Sequence, residues 1–301
     1  MKLWPQACIA TRLAVDAFKS WSRKDPFRES AVIAYYAIFS LPGLLLLVMT
    51  AAGYFLGQDT LSTHLHSQIV AAMGRDTADL VQGMLNSAGT GQDSVWATLI
   101  GLVTLLVGAT GVFVQLQKSL NIIWEVRAVP SASGIREFIK ARLFSFGLIL
   151  SIAFLLLVSL VITSVLAAMS RWIESHWPGY IMFLFHVADF TLSFVIISVL
   201  FAMMFKYMPD AEVRWRYVWV GGSVTGLLFQ VGKLGLGLYF GKAQPGSGYG
   251  AAGAVILILL WVSYSSMIFF YGAEFTKAFA DHFHGEVAAA KNAVKDIGRE
   301  S

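Results

Sequence analysis

Ionisable side chains inside long apolar stretches are the residues of this chain whose type and position indicate chemistry. Asp189 lies nine residues from the predicted outer end of its apolar stretch, a depth of about 14 Å at 1.5 Å per helical residue. Lys233 lies seven residues from the outer end of the following stretch, about 10 Å deep. Opposite charges at similar depth on consecutive helices can pair, and pairing lowers the cost of holding either charge in a membrane. His186 and Gln230 lie one helical turn from these two residues and extend the polar group.

This group of four residues has two interpretations, and the sequence leaves both open. In the functional one it forms a polar site in the outer half of a cavity, accessible to an anionic head group or to protons. In the structural one Asp189 and Lys233 lock two helices together, or the Lys233 amine extends outward to the membrane surface.

A second polar cluster is predicted at the inner boundary of the apolar stretches. It comprises Tyr35, Tyr36, Ser40, Gln115, Gln117, Lys118 and Glu274. Glu274 lies about 34 Å along its helix from Ala251, too far to meet Lys233 but close enough to reach Lys118 or Arg28. The cluster either fixes helix ends or forms an inner gate.

No motif in the sequence indicates catalysis. No glycine-rich loop ends in Lys-Ser or Lys-Thr, which argues against ATP-driven pumping by this chain alone. The pairs His64 with His66 and His282 with His284 lack further ligands at zinc-binding spacing. The glycine-rich stretch 248–253 enters an apolar helix, so close helix packing explains it better than dinucleotide binding. We therefore expect a protein that is not an enzyme and has no metal, no cofactor and no nucleic-acid partner.

The composition indicates a membrane protein. Hydrophobic residues make up 57% of the 301 residues and charged residues only 13%, about half the charged share of a typical soluble domain. A bilayer core of about 30 Å requires about 20 apolar residues in helical form. Six stretches meet this requirement: 31–57, 95–117, 143–168, 180–205, 218–240 and 251–276. The predicted fold class is an all-α polytopic membrane protein with six transmembrane helices and short interfacial helices.

The cations predict the orientation of these helices. Eighteen Lys and Arg residues fall on one side of the six stretches, whereas Arg75, Arg171 and Lys242 fall on the other. Loops rich in Lys and Arg stay in the cytoplasm, so both termini are expected there. The first stretch starts too far from Met1 for a cleaved signal peptide and is interpreted as a permanent span.

The soluble parts are short. Residues 1–30 form a cytoplasmic arm whose segment 7–24 has apolar residues near one helical face, typical of an amphipathic helix on the inner membrane surface. The outer loop 58–94 is expected to hold a short helical pair, and 130–142 another interfacial helix. Residues 277–301 form a cytoplasmic tail, and Cys8 has no partner for an internal disulfide.

Glycines indicate close helix packing in the second half of the chain. Gly222 and Gly226 are four residues apart and are followed by Gly232, Gly235 and Gly237. Small residues let helix backbones approach closely in a membrane, and such faces also permit a homodimer.

Three segments together resemble one protein family. They are AVIAYYAIFSLPGLLLL at 31–47, MPDAEVRWRYVWVGG at 208–222 running into GKLGLGLYF at 232–240, and YGAAGAVILILLWVSYSSMIFFYGAEFTKA at 249–278. In this order they resemble the YihY/BrkB family of bacterial inner-membrane proteins, some of which carry an old ribonuclease BN label. The positions on the family pattern are Tyr35, Tyr36, Pro42, Pro209, Asp210, Arg214, Lys233, Tyr239, Trp261, Gly272 and Glu274.

The resemblance implies a six-helix bundle in the bacterial inner membrane, with proposals for the family centred on transport. Together with the polar residues at depth, it predicts a transporter or flippase-like carrier of an anionic or amphipathic solute or lipid, with membrane lipids as its surroundings. The alternative is a non-transporting scaffold for envelope-assembly partners. The ribonuclease label finds no metal-binding acidic or histidine cluster in a predicted cytoplasmic segment.

Overall fold

Helices make up nearly all of the protein that the structure describes. This computed structural model describes residues 3–56, 75–90, 95–129, 179–243, 252–285, 287–290 and 293–296, with short pieces at 62–63, 66–67 and 69–70 and the single residues 245 and 249. The helices are α1 (Leu3–Arg23), α2 (Pro26–Leu56), α3 (Arg75–Thr90), α4 (Val95–Trp124), α5 (Gly179–Tyr207), α6 (Trp215–Ala243) and α7 (Gly253–His284). Two short strands, β1 (Val126–Ala128) and β2 (Ala293–Lys295), pair antiparallel.

Five of these helices cover five of the six predicted apolar stretches. The sixth predicted stretch, 143–168, lies outside the described residues. The predicted interfacial helix 130–142 lies outside them as well. Within the described part, three helical segments are long and apolar enough to cross a membrane: Phe190–Tyr207, Trp215–Ala243 and Gly253–Phe283. The prediction of a helical membrane protein is confirmed at this level, and the small sheet β1–β2 is a feature that the sequence analysis did not predict.

The break between α1 and α2 follows from two residues. Asp25 adopts a left-handed backbone conformation with φ 47°, which terminates the first helix. Pro26 then opens α2, where its fixed φ suits the first helical turn and its missing N–H costs no hydrogen bond. The arm and the first long stretch therefore form two separate helices.

The chain divides into two compact units. Unit 1 comprises Met1–Trp21, Leu120–Leu228 and Tyr271–Ser301. Unit 2 comprises Ser22–Ser119 and Phe229–Phe270. Helices α4, α6 and α7 each contribute one part to each unit.

In unit 1, helix α1 packs against α7. Leu13 and Ala17 are buried in a cluster with Phe275, and the Tyr271 hydroxyl donates a hydrogen bond to the Ala14 carbonyl oxygen at 3.2 Å. Phe18, which the sequence places near the same apolar face, is instead 55% exposed. Leu13 and Ala17 on the apolar side of α1 therefore contact another helix, and the predicted position of α1 on the inner membrane surface stays a prediction.

Glycines bring α5, α6 and α7 close together in unit 1. A Cβ added to Gly221 would lie 2.7 Å from the Thr276 Cβ, and one added to Gly272 would lie 2.8 Å from the Thr225 Cβ. The two Gly-x-x-x-Thr segments thus face each other in antiparallel order. Both threonine hydroxyls are buried and donate to a carbonyl of their own helix, at 2.6 Å for Thr225 and 2.7 Å for Thr276. The crossing consequently leaves neither hydroxyl unsatisfied.

A similar contact joins α5 to α6. A Cβ on Gly222 would lie 2.6 Å from the Ser198 carbonyl oxygen, and Gly226 faces the Ser198 side chain. Gly222 and Gly226 are therefore confirmed as packing glycines.

The C-terminal segment folds back onto the helix ends of unit 1. Strand β2 pairs with β1 so that Arg127 lies opposite Val294. The Asp296 N–H donates to the Glu125 carbonyl oxygen at 2.8 Å, and the Lys277 amine lies 2.5 Å from the Glu125 carboxylate. The end of α4, the end of α7 and the tail are thereby joined by backbone and side-chain hydrogen bonds.

Candidate functional site

The most developed polar contact in unit 2 lies between the start of α2 and the end of α4. One carboxylate oxygen of Glu29 accepts hydrogen bonds from the Gln115 side-chain amide at 2.5 Å and from the Ser119 hydroxyl at 2.7 Å. The other oxygen lies 3.3 Å from the Arg28 guanidinium, whose side chain is 71% exposed while that of Glu29 is 12% exposed. An acid covered to this degree requires such partners, because transfer of a charge from water costs several kcal/mol.

The same helix pair continues away from Glu29 through small residues. Gly111 lies against the ring of Tyr36, and a Cβ on Gly108 would lie 2.7 Å from the Ser40 Cβ. Residue numbers rise along α2 as they fall along α4, so the two helices run antiparallel. Of the predicted inner cluster, Tyr36, Ser40 and Gln115 are therefore brought to one helix contact.

Glu274 occupies the most buried part of α7, in unit 1. It is 2% exposed, and its neighbours Ala273 and Thr276 are fully buried. It lies inside the apolar segment Gly253–Phe283. Ionisable residues at such positions are rare in membrane helices and mark candidate functional sites.

Other members of the predicted inner cluster lie on the surface. Tyr35 is 57% exposed and contacts Tyr36 and Phe39 edge to face, and Lys118 is also exposed. The acid that contacts Arg28 is Glu29, its sequence neighbour, and the predicted reach of Glu274 to Lys118 or Arg28 stays a prediction.

The predicted outer group is only partly visible. Gln230 is buried at 8% exposure, whereas the Lys233 side chain is exposed. Depth along a helix does not determine how far neighbouring helices cover a long side chain, so the role of Lys233 in the outer group stays a prediction. The side chains of His186 and Asp189 lie outside the described part of the structure, so their pairing with Lys233 stays a prediction.

Among the described residues, no group of three or more His, Cys, Asp or Glu side chains is placed to hold a metal ion. His66 has one acidic neighbour, Asp79, with 3.1 Å between Nε2 and the carboxylate. This exposed pair joins two parts of the predicted outer loop.

Glu29 is the site residue that sequence reasoning missed. It lies two residues before the predicted start of the first span, so it was assigned to the charged arm. A usable signal was present, because Glu29, Tyr36 and Ser40 recur at helical spacing, as do Gly108, Gly111, Gln115 and Ser119. Small and polar residues repeated on both helices indicate a shared contact face.

The apolar helices and the buried polar contacts between them define an integral membrane protein. Residues 17–297 match the family described as virulence factor BrkB, and the chain belongs to this family. The predicted family assignment is confirmed.

Curated relatives carry names that agree with this class. A UPF0761 membrane protein of Alteromonas mediterranea is 24% identical, over 89% of this chain and 87% of its own length. One of Saccharophagus degradans is 25% identical, over 88% of this chain and 58% of its own. One of Verminephrobacter eiseniae is 30% identical, over 59% of this chain and 40% of its own.

The matched region covers about two fifths of the length of several of these relatives. No solved structure matches the chain significantly.

Proposed function

We propose that the protein is a carrier that moves an anionic or amphipathic solute, or a lipid, across the membrane without hydrolysing ATP itself. The observation that carries this proposal is the burial of Glu274 inside an apolar helical segment. A carboxylate costs free energy in that position, whereas an apolar side chain of similar size would pack without that cost. Ionisable residues within membrane helices commonly belong to substrate or proton pathways.

Glu29 supports the same function from unit 2. Its carboxylate accepts two hydrogen bonds from neutral groups, the Gln115 amide and the Ser119 hydroxyl. In the proposed mechanism the proton gradient drives movement, and Glu29 in unit 2 and Glu274 in unit 1 are each candidate proton-binding groups. Tyr35, Tyr36 and Lys118 border the inner end, and Asp189, His186, Gln230 and Lys233 form the outer site. The protein is placed in the bacterial inner membrane, with both termini in the cytoplasm and a homodimer permitted.

The test uses the full-length protein in liposomes that contain fluorescent NBD-phosphatidylglycerol and the internal pH dye pyranine. Dithionite added outside bleaches only outer-leaflet NBD lipid, so protein-dependent loss of the protected fraction reports lipid movement. Pyranine reports proton entry under an imposed pH gradient. A carrier of the proposed kind shows at least one of these activities above empty liposomes.

The variant Glu274→Gln preserves shape and removes the proton-binding group. We expect it to reduce either activity at least tenfold, while the control Asp16→Asn, an exposed acid of unit 1, leaves both unchanged. Lys233→Met tests the outer site on an exposed side chain whose replacement leaves the packing intact. Unchanged activity of correctly folded Glu274→Gln protein would contradict the proposed role of the buried carboxylate.

A scaffold for envelope-assembly partners is the second candidate function. It is favoured by the loop between α5 and α6, which hydrogen bonds hold in a fixed shape and which exposes Arg214 and Trp215. Under this alternative, substitutions on this surface impair function while Glu274→Gln does not. Glu274→Gln and substitutions of Arg214 or Trp215 therefore separate the two functions.

A further inference from the structure

The corner between α5 and α6 in unit 1 is held in one shape by contacts on its inner side. The Lys206 amine donates a hydrogen bond to the Val213 carbonyl oxygen at 2.5 Å. Asp210 accepts from the Asn121 amide at 2.7 Å and returns a backbone N–H to the Asn121 side-chain oxygen at 2.8 Å. Met208 is 2% exposed and Val213 is fully buried. The outward-facing side chains of this corner are therefore presented by a fixed backbone.

Three aromatic side chains form the outer surface of the corner. Tyr207, Trp215 and Trp219 are 40%, 42% and 45% exposed. The Tyr207 and Trp215 rings meet edge to face with centroids 5.8 Å apart, and Trp215 and Trp219 are 6.3 Å apart. Large aromatic groups grouped in this way form an amphipathic patch with apolar faces and polar edges.

The patch lies where two apolar helical segments end. One segment runs Phe190–Tyr207 and the other Trp215–Ala243, so the patch includes the last residue of the first and the first residue of the second. Trp and Tyr are enriched at the level of lipid head groups because this region suits rings with one apolar and one polar side. The patch is therefore positioned at a membrane–water boundary.

The charged groups beside the patch favour an anion. Arg214 and Arg216 are both exposed, and Glu212 is the exposed acid of the same corner. Asp210 is bound to Asn121 and lies on the inner side. Exposed charge at the corner thus sums to one net positive charge, and a guanidinium can bind two phosphate oxygens at once.

We propose that this corner is a binding site for the phosphate head group of an anionic phospholipid. Arg214 and Arg216 contact the phosphate, and Tyr207, Trp215 and Trp219 contact the glycerol and the upper acyl chains. The site is independent of the transport cycle, because it requires neither Glu274 nor a moving solute. It differs from general attraction to the membrane surface because its anion selectivity depends on Arg214, Arg216 and Glu212.

The experiment places the full-length protein in phosphatidylcholine nanodiscs that contain increasing fractions of dibrominated phosphatidylglycerol. Bromine quenches tryptophan fluorescence on contact, and dibrominated phosphatidylcholine provides the comparison for contact without negative charge. One net positive charge corresponds to a preference of about fivefold for phosphatidylglycerol, since each juxtamembrane cation adds about a factor of five. The variant Trp215→Phe with Trp219→Phe assigns the quenched signal to the patch by removing it.

Charge variants predict changes in opposite directions. Arg214→Gln with Arg216→Gln abolishes the preference, whereas Glu212→Gln raises it to roughly 25-fold by the same relation. The matched control Arg127→Gln with Lys242→Gln removes two exposed cations elsewhere and leaves the preference unchanged. Replacement of both arginines by lysine keeps most of the preference for phosphatidylglycerol. In 1 M NaCl this preference is weaker.

Equal quenching by the two brominated lipids in the unmodified protein overturns the proposal. A preference for phosphatidylglycerol that persists in Arg214→Gln with Arg216→Gln also overturns the proposal. Displacement by soluble glycerol phosphate would show a site for a free anion and would also contradict a lipid site. Glu212 is exposed, so Glu212→Gln should fold even if the double arginine variant does not. An unchanged preference for phosphatidylglycerol in Glu212→Gln would then overturn the proposal.

Discussion

Substitution of Gly221 by alanine tests the close contact between α6 and α7. The added Cβ would lie 2.7 Å from the Thr276 Cβ and nearer still to the hydroxyl oxygen. Rotation of the threonine does not relieve the overlap, because the Cβ position does not depend on χ1. The helices must therefore separate by about 1 Å to reach the 3.4–4 Å of an ordinary contact.

The expected effect combines two opposing contributions. Overpacking of a filled contact costs about 3 kcal/mol at the upper end of its usual range. Alanine recovers up to about 1 kcal/mol through its higher helix propensity. We therefore expect Gly221→Ala to lower the free energy of unfolding by about 2 kcal/mol.

Gly235 provides the matched control on the same helix. A Cβ at Gly235 meets nothing within 4 Å, so only the propensity gain remains and stability stays the same or rises by up to about 1 kcal/mol. The assay is SDS titration of the purified protein in mixed micelles, with helicity followed by far-UV circular dichroism. The two variants should differ by roughly 2–3 kcal/mol in the free energy of unfolding.

A second substitution distinguishes the steric cause from other causes. In Gly221→Ala combined with Thr276→Gly, the methyl group occupies space that the threonine has vacated, so the two costs should be less than additive by at least about 1 kcal/mol. If Gly221→Ala and Gly235→Ala have equal stability, or if the double variant is simply additive, the proposed contact is wrong.

Three further predictions concern hydrogen bonds and can be measured in the same SDS titration. Asp210→Ala should cost about 2 kcal/mol because the Asn121 amide loses its acceptor, and its effect should not add to that of Asn121→Ala. Glu29→Ala should cost about 2 kcal/mol because the buried Ser119 hydroxyl and the half-buried Gln115 amide lose their shared acceptor, whereas Glu29→Gln should cost less because its amide oxygen can still accept. The pair between Lys277 and Glu125 should show a coupling of about 1 kcal/mol or less that declines in 1 M NaCl, and a salt-independent coupling would contradict an ionic origin.

The long helices were predictable because their apolar content alone requires them. The predicted stretch 218–240 lies within α6, and 251–276 overlaps most of α7. Helix α7 continues to His284 because the helical pattern of buried residues extends to Ala280, beyond the point where hydropathy declines. Hydropathy therefore located the apolar parts of these helices but not their ends.

Contacts between distant segments were not predictable from local patterns. Strands β1 and β2 have three residues each, too few to show alternation, and they are far apart in the sequence. Spacing also failed to separate Gly232, which packs against Ile268 and Tyr264, from Gly235, which has no close neighbour. Both lie on one glycine-rich helix, and only the position of the adjacent helix distinguishes them.

The contact between α1 and α7 has a consequence for biosynthesis. The Tyr271 hydroxyl binds the carbonyl of Ala14, 257 residues earlier in the chain. At ribosomal rates of about 5–20 residues per second, α1 emerges tens of seconds before its partner exists. During this interval Leu13 and Ala17 lack the helix that buries them in the folded protein. The N-terminal helix is therefore among the first parts of unit 1 to be made and can reach its final contacts only near the end of synthesis.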